Sequence, residues 1–285
     1  MTISKDITGI IVLYDTTIEV IDCLQRLKDI KFIVVDNGKC DKKIIDKILR
    51  SKNIIKYFKP KKNLGFGRAN NFAFKYVETK YTLLINADIK TSTEDVTKLV
   101  DTFIKYPNTG ISVPILVDKN NINKDYLECL PEINSNYNYL TNDIKKLVSG
   151  DTSVSFCWAA IMLLNNKIFE NNYIFDKKYF LFWEDYDLCR RLYKNKIPII
   201  KTYLSRAHHL KHRSVKDNYR NYFIIQVYHV LSSYKYFNVN KKDNILIKRF
   251  FIYFFRSISY LFILNIKKSL KNVARITAII KYKFE

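Results

Sequence analysis

The first 117 residues alternate short apolar runs with amphipathic segments, and this alternation limits the folds open to the chain. Strand-like runs lie at about 7–14, 31–36, 53–58, 80–86 and 110–117. The segments between them space their apolar residues as helices do, at 16–29, 41–51, 67–79 and 93–106. Short apolar strands joined by helices are typical of a parallel, doubly wound sheet, which binds ligands outside the carboxyl ends of its strands.

The rest of the chain is less regular. Residues 118–150 are polar and rich in Asn, and we interpret them as a variable excursion that faces the acceptor of a reaction. A strand-like run follows at 154–164, then a helix at about 184–195 and a strand near 197–203. Residues 215–285 are predicted to be helical.

Positive charge is concentrated near the carboxyl terminus. The formal net charge is +22, and residues 201–285 contain 18 Lys and Arg against 3 Asp and Glu. Such an excess indicates an anionic partner, which is a phosphorylated substrate, an anionic lipid or a nucleic acid, whereas a merely solvated basic tail is the alternative.

A 15-residue aromatic stretch, Phe250–Leu264, lies within this basic region and is interrupted by Arg256. A spanning helix needs roughly 20 apolar residues, so the stretch is short for that purpose. Its basic flanks favour a helix lying in a membrane interface, while burial against the protein or a dimer partner stays open.

The cysteines and the amino terminus bear on the compartment. The five cysteines are scattered and form no CxxC pair, which argues against a disulfide framework or a cysteine zinc site. The first residues lead into a strand-like run rather than a signal peptide. We therefore expect a reducing, cytoplasmic location.

Two short loops hold three of the six glycines. Gly38 follows a strand that ends in Asp36, and Gly65 and Gly67 lie in the segment from Asn63 to Asn71, just before a helix. Glycine permits tight turns and close backbone approach to a ligand. Asp36 is then placed to accept hydrogen bonds from a nucleobase or ribose, unless the segment is only a turn.

Carboxylates occur at two further positions. The apolar run that includes Asn86 ends in Asp88, a suitable ligand for a divalent cation bound to a diphosphate, although a helix cap or turn is the plainer interpretation. Glu184, Asp185 and Asp187 follow a strongly aromatic segment, where desolvation and repulsion would raise one carboxyl pKa as a general base requires. Ion pairs of Asp187 within a helix are the alternative.

Three of the four histidines, His208, His209 and His212, fall within five residues. Imidazole can complete a metal site together with carboxylates and phosphates. A zinc site made only of histidines is the less favoured interpretation.

In this order, the motifs resemble those of family-2 glycosyltransferases with the GT-A fold, in the rhamnosyltransferase-like branch, over about residues 6–237. Asp36 to Gly38 is similar to the family's "VDNgS" step, and Asn63 to Asn71 to its "NlGfaganN" loop. Leu84 to Asp88 resembles "LNpD", with Ala87 in place of the proline, and Phe180 to Arg190 resembles "fFmyeEDvDLclR". His209 to Ser214 resembles the later "HxxxxS" step.

The resemblance implies a set of roles. Asp36 and Tyr14 would contact the base, and Asn63, Gly65, Arg68, Asn71 and Asn86 would line the nucleotide-sugar site. Asp88 and His209 would bind Mg²⁺ or Mn²⁺. Asp185 would be the catalytic base, and Glu184 would place the acceptor. The family's Gly-Ala before its next strand appears here as Trp158-Ala159-Ala160, which leaves the acceptor's identity open.

The resemblance also implies an organisation and a reaction. Residues 1–214 would form a GT-A domain, with a nucleotide-binding half at 1–117 and an acceptor half at 118–214, and residues 215–285 would be a membrane-associated appendage. The enzyme would transfer a sugar with inversion from a dTDP or UDP donor to a saccharide acceptor, linked to a lipid diphosphate, in bacterial surface polysaccharide synthesis. It would work at the inner face of the cell membrane, with a homodimer possible.

Competing function classes lack their signatures. A nicotinamide enzyme would show GxGxxG after the first strand, and neither that motif nor a P-loop occurs. A nucleic-acid-binding protein would carry a basic stripe with exposed stacking aromatics, whereas these aromatics form a continuous apolar run, so we expect no nucleic-acid partner. A catalytically silent GT-A-like scaffold remains an alternative.

Overall fold

The computed structural model describes residues 3–15, 18–117, 129–131, 149–169, 173–210 and 218–285 of the 285-residue chain. Most of the predicted excursion at 118–150 lies outside the described residues, as do His212 and Ser214 of the last motif.

Nine strands form one sheet in this part of the chain. They are β1 (Ile7–Leu13), β2 (Lys31–Asp36), β3 (Ile54–Phe58), β4 (Tyr81–Ile85), β5 (Ile89–Lys90), β6 (Ile111–Val117), β7 (Thr152–Val154), β8 (Ile161–Asn165) and β9 (Ile199–His209). Their order is β3-β2-β1-β4-β8-β6-β9-β5, and β7 pairs with β9. Strands β1 to β4 pair in parallel, whereas β8 runs antiparallel to both of its neighbours, so the sheet is parallel in its first half and mixed beyond it.

Eight α-helices lie within the same described ranges. They are α1 (Glu19–Arg26), α2 (Lys42–Leu49), α3 (Phe66–Phe74), α4 (Thr93–Lys105), α5 (Glu184–Lys194), α6 (Tyr219–Tyr236), α7 (Asn244–Phe262) and α8 (Ile266–Phe284). Helix α4 begins at Thr93, where the Ser92 hydroxyl accepts a hydrogen bond from the Asp95 backbone N–H at 3.0 Å. Ser92 is therefore the N-cap residue of this helix.

The core covers both faces of the sheet. In β1, Ile11 and Leu13 pack in one buried cluster and Ile10 in the other, and β2 divides Val34 and Val35 in the same way. Successive strand residues point to opposite faces, so a sheet with helices on both sides needs continuous apolar strands. This is why the strands could be found from sequence as unbroken apolar runs.

Contacts divide the chain into two units. The first contains Met1–Asp176 and Asp185–Ser214, and the second contains Lys177–Glu184 and Val215–Glu285. Helices α6 to α8 belong to the second unit and enclose a small core of their own around Leu231, Leu246 and Ile279. Lys177–Glu184 belongs to the second unit because it contacts residues distant in sequence. A single predicted boundary after residue 214 does not include such a segment.

Two strand predictions need correction. The predicted strand at 154–164 is two strands, β7 and β8, with an irregular segment between them. Phe156 and Cys157 in that segment are buried. The segment is therefore as apolar in sequence as a strand, although it does not pair with a neighbouring strand. Strand β9 extends to His209, and the two-residue β5 that pairs with its end was not predicted.

Candidate active site

Asp36 lies at the carboxyl end of β2, where it is almost completely buried. Its carboxylate accepts hydrogen bonds from the Tyr57 hydroxyl at 3.0 Å and the Gly38 backbone N–H at 3.3 Å, and it forms an ion pair with Lys59. Burial, together with the hydrogen bond to Asp36, raises the pKa of Tyr57 above its ordinary value, so the phenol stays a donor. The end of β2 therefore presents a carboxylate acceptor beside the Lys59 ammonium, which has further N–H donors.

Gly38 allows the neighbouring loop to approach Tyr14. A Cβ atom at Gly38 would lie 1.8 Å from the Tyr14 carbonyl oxygen, so no other residue fits without movement of the backbone. The Lys39 backbone N–H donates to the same oxygen at 2.9 Å. Tyr14, predicted to contact the base, is 38% exposed just beyond the end of β1, next to the strand that carries Asp36.

Asn37 joins this turn to the glycine-containing loop. Its side-chain amide donates to Asn63 Oδ1 at 2.8 Å and to the Gly65 carbonyl at 3.1 Å, and its oxygen accepts from the Leu64 backbone N–H at 2.7 Å. Asn63 Oδ1 also accepts from the Gly65 backbone N–H at 2.8 Å. The two motifs thus form one hydrogen-bonded structure, and the positioning function of Asn37 was not recognised from the sequence.

Helix α3 begins after Gly65, which has φ of +82° and occupies the cap position. Arg68 is exposed on this helix. Asn71 holds another segment in place, because its oxygen accepts from the Ile174 and Phe175 backbone N–H groups at 3.0 Å and its nitrogen donates to the Phe175 carbonyl at 2.6 Å. Contact of Arg68 and Asn71 with a donor stays a prediction.

Asp88 and His209 lie side by side, as the sequence predicted. His209 Nε2 is 3.6 Å from Asp88 Oδ2, and the Asp88 side chain is buried. Two features of the sheet bring them together, since Ile89 of β5 pairs with His209 of β9 and the Leu210 backbone N–H donates to the Asp88 carbonyl at 3.1 Å. Asn86 opens the same turn and accepts a hydrogen bond from the Ile89 backbone N–H.

The pair suits a divalent cation that takes its other ligands from phosphate. Octahedral Mg²⁺ with ligands at about 2.1 Å places neighbouring ligand atoms roughly 3 Å apart, so Asp88 and His209 need only a small approach. Within the described residues, no group of three or more His, Cys, Asp and Glu side chains could hold a metal by itself. The two residues fit a shared metal–diphosphate site better than a metal site formed by protein alone.

Asp185 lies in the first turn of α5 and is half-buried. Its carboxylate accepts hydrogen bonds from the backbone N–H groups of Tyr186, at 2.9 Å, and Ala159, which favour the charged form. Desolvation by burial outweighs them and raises the pKa of Asp185 to about 6. The neighbouring Ala160 carbonyl accepts the Asn86 backbone N–H at 2.8 Å, so a short chain of contacts links Asp185 to the Asn86–Asp88 turn.

The other acids of this motif have different surroundings. Glu184 is the first residue of α5 and is buried, and it belongs to the second unit, so its predicted contact with the acceptor stays a prediction. Asp187 forms ion pairs with Arg191 at 2.9 Å and Arg190 at 3.4 Å, in agreement with the alternative interpretation of this residue. Asp185 is the half-buried carboxylate of this motif, whereas Glu184 and Asp187 are buried.

The backbone before α5 is strained. Phe182 and Trp183 have φ values of 66° and 68°, a left-handed conformation that is unusual for bulky residues. Trp183 is held by a hydrogen bond from its indole N–H to the His229 carbonyl at 3.0 Å and by ring contacts with Tyr236 and Phe237. Strain of this kind persists where surrounding contacts determine the geometry.

A basic cleft of about 380 Å³ opens beside His209. It is lined by Arg26, Lys90, Thr91, Ser92, Asp95, Arg206, His208, His209 and Leu210. Arg26 and Lys90 form ion pairs with Asp22, so Arg206 and the two histidines are the side chains of this lining that an anionic ligand would meet near the predicted metal pair.

Comparison with known proteins agrees with this geometry. The chain matches the family Glycosyl transferase family 2 over residues 14–172. It is 28% identical to the rhamnosyltransferase WbbL of Escherichia coli K12 over 191 residues, which cover 60% of this chain and 69% of the relative. It is also 28% identical to a teichoic acid poly(glycerol phosphate) polymerase of Staphylococcus epidermidis over 148 residues, 45% of this chain but 20% of that protein.

A solved structure shares the fold. It is a mannosyltransferase from Pyrobaculum calidifontis in complex with GDP-Man and Mn²⁺, with a TM-score of 0.54 at 12% identity, and the likeness covers 96% of this chain and 72% of that one.

The fold and the family match define a glycosyltransferase of the GT-A class. The chain belongs to glycosyl transferase family 2, because the family match covers more than half of it. The predicted fold and enzyme class are thereby confirmed. Asp185 and His209 lie beyond the matched residues, so their roles depend on the geometry described above.

Proposed function

We propose that the enzyme transfers a sugar with inversion from a UDP or dTDP donor to a hydroxyl group of a lipid-diphosphate-linked saccharide in bacterial surface polysaccharide synthesis. The observation that carries this proposal is the Asp88–His209 pair, connected through Asn86, Ala160 and Ala159 to a half-buried carboxylate of raised pKa. A diphosphate-binding pair close to a general base is the arrangement that sugar transfer requires.

The surroundings of Asp36 support a pyrimidine nucleotide. The pairing edge of uracil or thymine has an N–H donor between two carbonyl acceptors. Asp36 supplies an acceptor for that N–H group, and the Lys59 ammonium supplies a donor for a carbonyl, while the Tyr57 hydroxyl donates its one proton to Asp36. Cytosine presents an acceptor at the central position, so this set of side chains disfavours it. The contrast supports UDP and dTDP donors over CDP donors.

The proposed reaction is a single displacement at the anomeric carbon. Asp185 takes the proton from the acceptor hydroxyl, whose oxygen forms a bond to the anomeric carbon as the bond from that carbon to the diphosphate breaks. The nucleoside diphosphate leaves from the opposite face, which inverts the configuration. A divalent cation held by Asp88 and His209 would supply Lewis-acid stabilisation of the negative charge that the diphosphate gains.

Relatives and charge support the acceptor class and the location. WbbL is a rhamnosyltransferase and the Staphylococcus epidermidis relative is a teichoic acid polymerase, which favours a cell-surface polymer as the product. In the described part of the chain, no helix is both long and apolar enough to cross a bilayer. A peripheral enzyme at the inner face of the membrane, drawn there by its basic carboxyl-terminal region, fits both observations.

The test is thermal stabilisation of the full chain by nucleoside diphosphates with and without Mn²⁺, followed by a transfer assay with nucleotide sugars. A ligand that binds the native state raises the apparent melting temperature. We expect UDP or dTDP to stabilise the protein more than CDP, and only with Mn²⁺. In the Asp88→Asn and His209→Asn variants, Mn²⁺ should no longer increase the rise in melting temperature that the nucleotide causes.

Asp29→Asn is the matched control, because Asp29 is an exposed acid in the turn after α1. Equal stabilisation of wild type and Asp88→Asn by UDP and Mn²⁺ would refute the metal assignment. Nucleotide binding without sugar transfer or donor hydrolysis would instead indicate a catalytically silent scaffold.

A further inference from the structure

Helix α7 exposes more apolar side chains to solvent than it buries. Its inner stripe contains Leu246, Phe250, Tyr253 and Ser257, of which Ser257 bonds the Ser269 hydroxyl at 2.9 Å. The outer face is more apolar than the inner one. Its members are Ile247, Phe251, Ile252, Phe254, Phe255, Ile258, Leu261 and Phe262, all between 38% and 84% exposed.

The exposed apolar surface continues past the end of α7. Ile263, Leu264 and Ile266, in the turn to α8 and at its start, are 66%, 86% and 55% exposed. Leu264 has φ of +53°, a left-handed conformation that ends α7. We call the outer face of α7 together with residues 262–266 the apolar ridge.

The apolar ridge exposes more apolar surface than soluble monomers usually do. Phe251, Phe254, Phe255 and Phe262 are each about half exposed or more, and because a phenylalanine has about 150–250 Å² of surface, these four present on the order of 500 Å². Soluble monomers rarely expose contiguous apolar patches above a few hundred Å² unless the patch binds something.

The charges around the ridge indicate what covers it. Asn244–Phe284 contains nine Lys and Arg and no Asp or Glu. Lys248 and Arg256 are exposed on α7, and Lys267 and Lys268 are exposed beside the turn. A second copy of this chain would bring the same positive charge against it. An anionic bilayer would offer both an apolar layer and negative head groups.

The placement of polar groups favours a helix that lies in the interface. Arg256 and Ser259 are exposed on the outer side of α7, where a helix crossing the bilayer would leave them in hydrocarbon. Lys267 and Lys268 lie over the rings of Tyr222 and Tyr260, each at 5.4 Å from the ring centre. Tyrosine and lysine are side chains that occupy the head-group level of membranes.

We propose that the apolar ridge is a membrane-docking surface that inserts into the head-group region of an anionic bilayer, with Lys248, Arg256, Lys267 and Lys268 contacting lipid phosphates. This inference rests on the proposed function only in supposing that the bilayer displays the acceptor. The docking surface itself follows from the exposure and charge of α7 and the turn.

The experiment is co-sedimentation of the full chain with vesicles of phosphatidylcholine, alone or mixed with phosphatidylglycerol. The wild type should bind the mixed vesicles and bind the neutral ones weakly. A triple variant, Phe255→Ser, Phe262→Ser and Leu264→Ser, should bind the mixed vesicles at least tenfold more weakly, because each removed side chain loses apolar burial. These residues are exposed, so the variant should fold normally.

A matched control uses equally exposed apolar residues of the first unit. Leu49, Ile104 and Leu204 are 50%, 70% and 67% exposed, and replacing all three with Ser should leave vesicle binding unchanged. A charge variant, Lys267→Gln with Lys268→Gln, should weaken binding to mixed vesicles roughly 30-fold, since each basic residue near an anionic surface adds about a fivefold factor.

Two outcomes would overturn the proposal. The first is undiminished vesicle binding by the triple serine variant. The second is a wild type that is a stable dimer in sedimentation equilibrium together with a triple variant that is a monomer. The apolar ridges of two copies would then pack against each other. Asp185→Asn should bind vesicles as the wild type does while losing sugar transfer. A wild type that binds vesicles but transfers no sugar would refute the proposed function and leave the docking surface intact.

Discussion

Helices α4 and α7 carry similar apolar side chains but use them in opposite ways. Helix α4 buries Val96, Leu99, Val100 and Phe103, and Ile104 is its one large apolar side chain on the exposed side. Helix α7 buries little beyond Leu246 and Ser257 and exposes a row of aromatic and aliphatic residues. Apolar content therefore builds a core in the first unit and an interaction surface in the second.

This difference separates two tasks along the chain. The first unit holds buried polar groups such as Asp36, Asn37 and Asp88, whose geometry depends on the sheet beneath them. The second unit offers a surface whose properties depend on exposure and charge rather than on exact side-chain geometry. Variants in the first unit should alter chemistry or stability, and variants in the second should alter location.

The variant with the largest expected effect tests whether sugar transfer and membrane docking can be separated. Asp185→Asn should lower sugar transfer by about 10²–10⁴-fold, because a positioned general base contributes that much. Nucleotide binding and vesicle binding should stay at the wild-type level. Initial rates with saturating donor, with nucleotide and vesicle binding measured in parallel, make the comparison.

Asp187→Asn provides the contrast for that experiment. Asp187 is paired with Arg190 and Arg191, so its loss should lower the melting temperature, whereas Asp185→Asn should not lower it. Transfer by Asp185→Asn within a few-fold of wild type would remove Asp185 from the mechanism.

A pair of phenylalanines tests the contrast between core and surface directly. Phe103 of α4 is 5% exposed and stacks on Tyr81 at 5.0 Å between ring centres, and Phe255 of α7 is 63% exposed. Phe103→Ala should lower the free energy of unfolding by about 3–5 kcal/mol, and Phe255→Ala should change it by less than about 0.5 kcal/mol. Urea denaturation of both variants measures this difference, and a comparable loss for Phe255→Ala would show that α7 is packed against something.

Gly38 tests how far the base pocket depends on close backbone approach. Because an added Cβ would lie 1.8 Å from the Tyr14 oxygen, Gly38→Ala should destabilise the protein by roughly 1–3 kcal/mol and weaken nucleotide binding. Gly150→Ala is a useful contrast, since a Cβ there has no neighbour within 4 Å and only its φ of +138° opposes the change. Wild-type nucleotide affinity in Gly38→Ala would show that the turn can move without consequence.

Much of this arrangement could be predicted from sequence, for physical reasons that differ between sites. Strands buried on both faces are continuous apolar runs, and the family resemblance implied that Asp88 and His209 would lie together. The ion pair of Asp36 with Lys59 and the bonds of Asn71 to residues 174–175 were not, because they join segments that only the folded sheet brings together. For α7, periodicity could not tell which face the helix would bury, since both faces are apolar.

The smallest expected effect concerns pH and again contrasts the two units. Since burial raises the pKa of Asp185 to about 6, the fraction ionised falls about tenfold between pH 7 and pH 5, and kcat/KM should fall with it. Its folded pKa lies above the unfolded value, so this group's contribution to stability is present below about pH 4 and is lost as pH rises through 6. Asp185→Asn should therefore be more stable than wild type at pH 7, and the advantage should shrink on acidification. Thermal unfolding and initial rates across this range give both curves, and a rate profile flat from pH 7 to pH 5 would assign proton transfer to another group. Vesicle binding through Lys and Arg should not change over the same range.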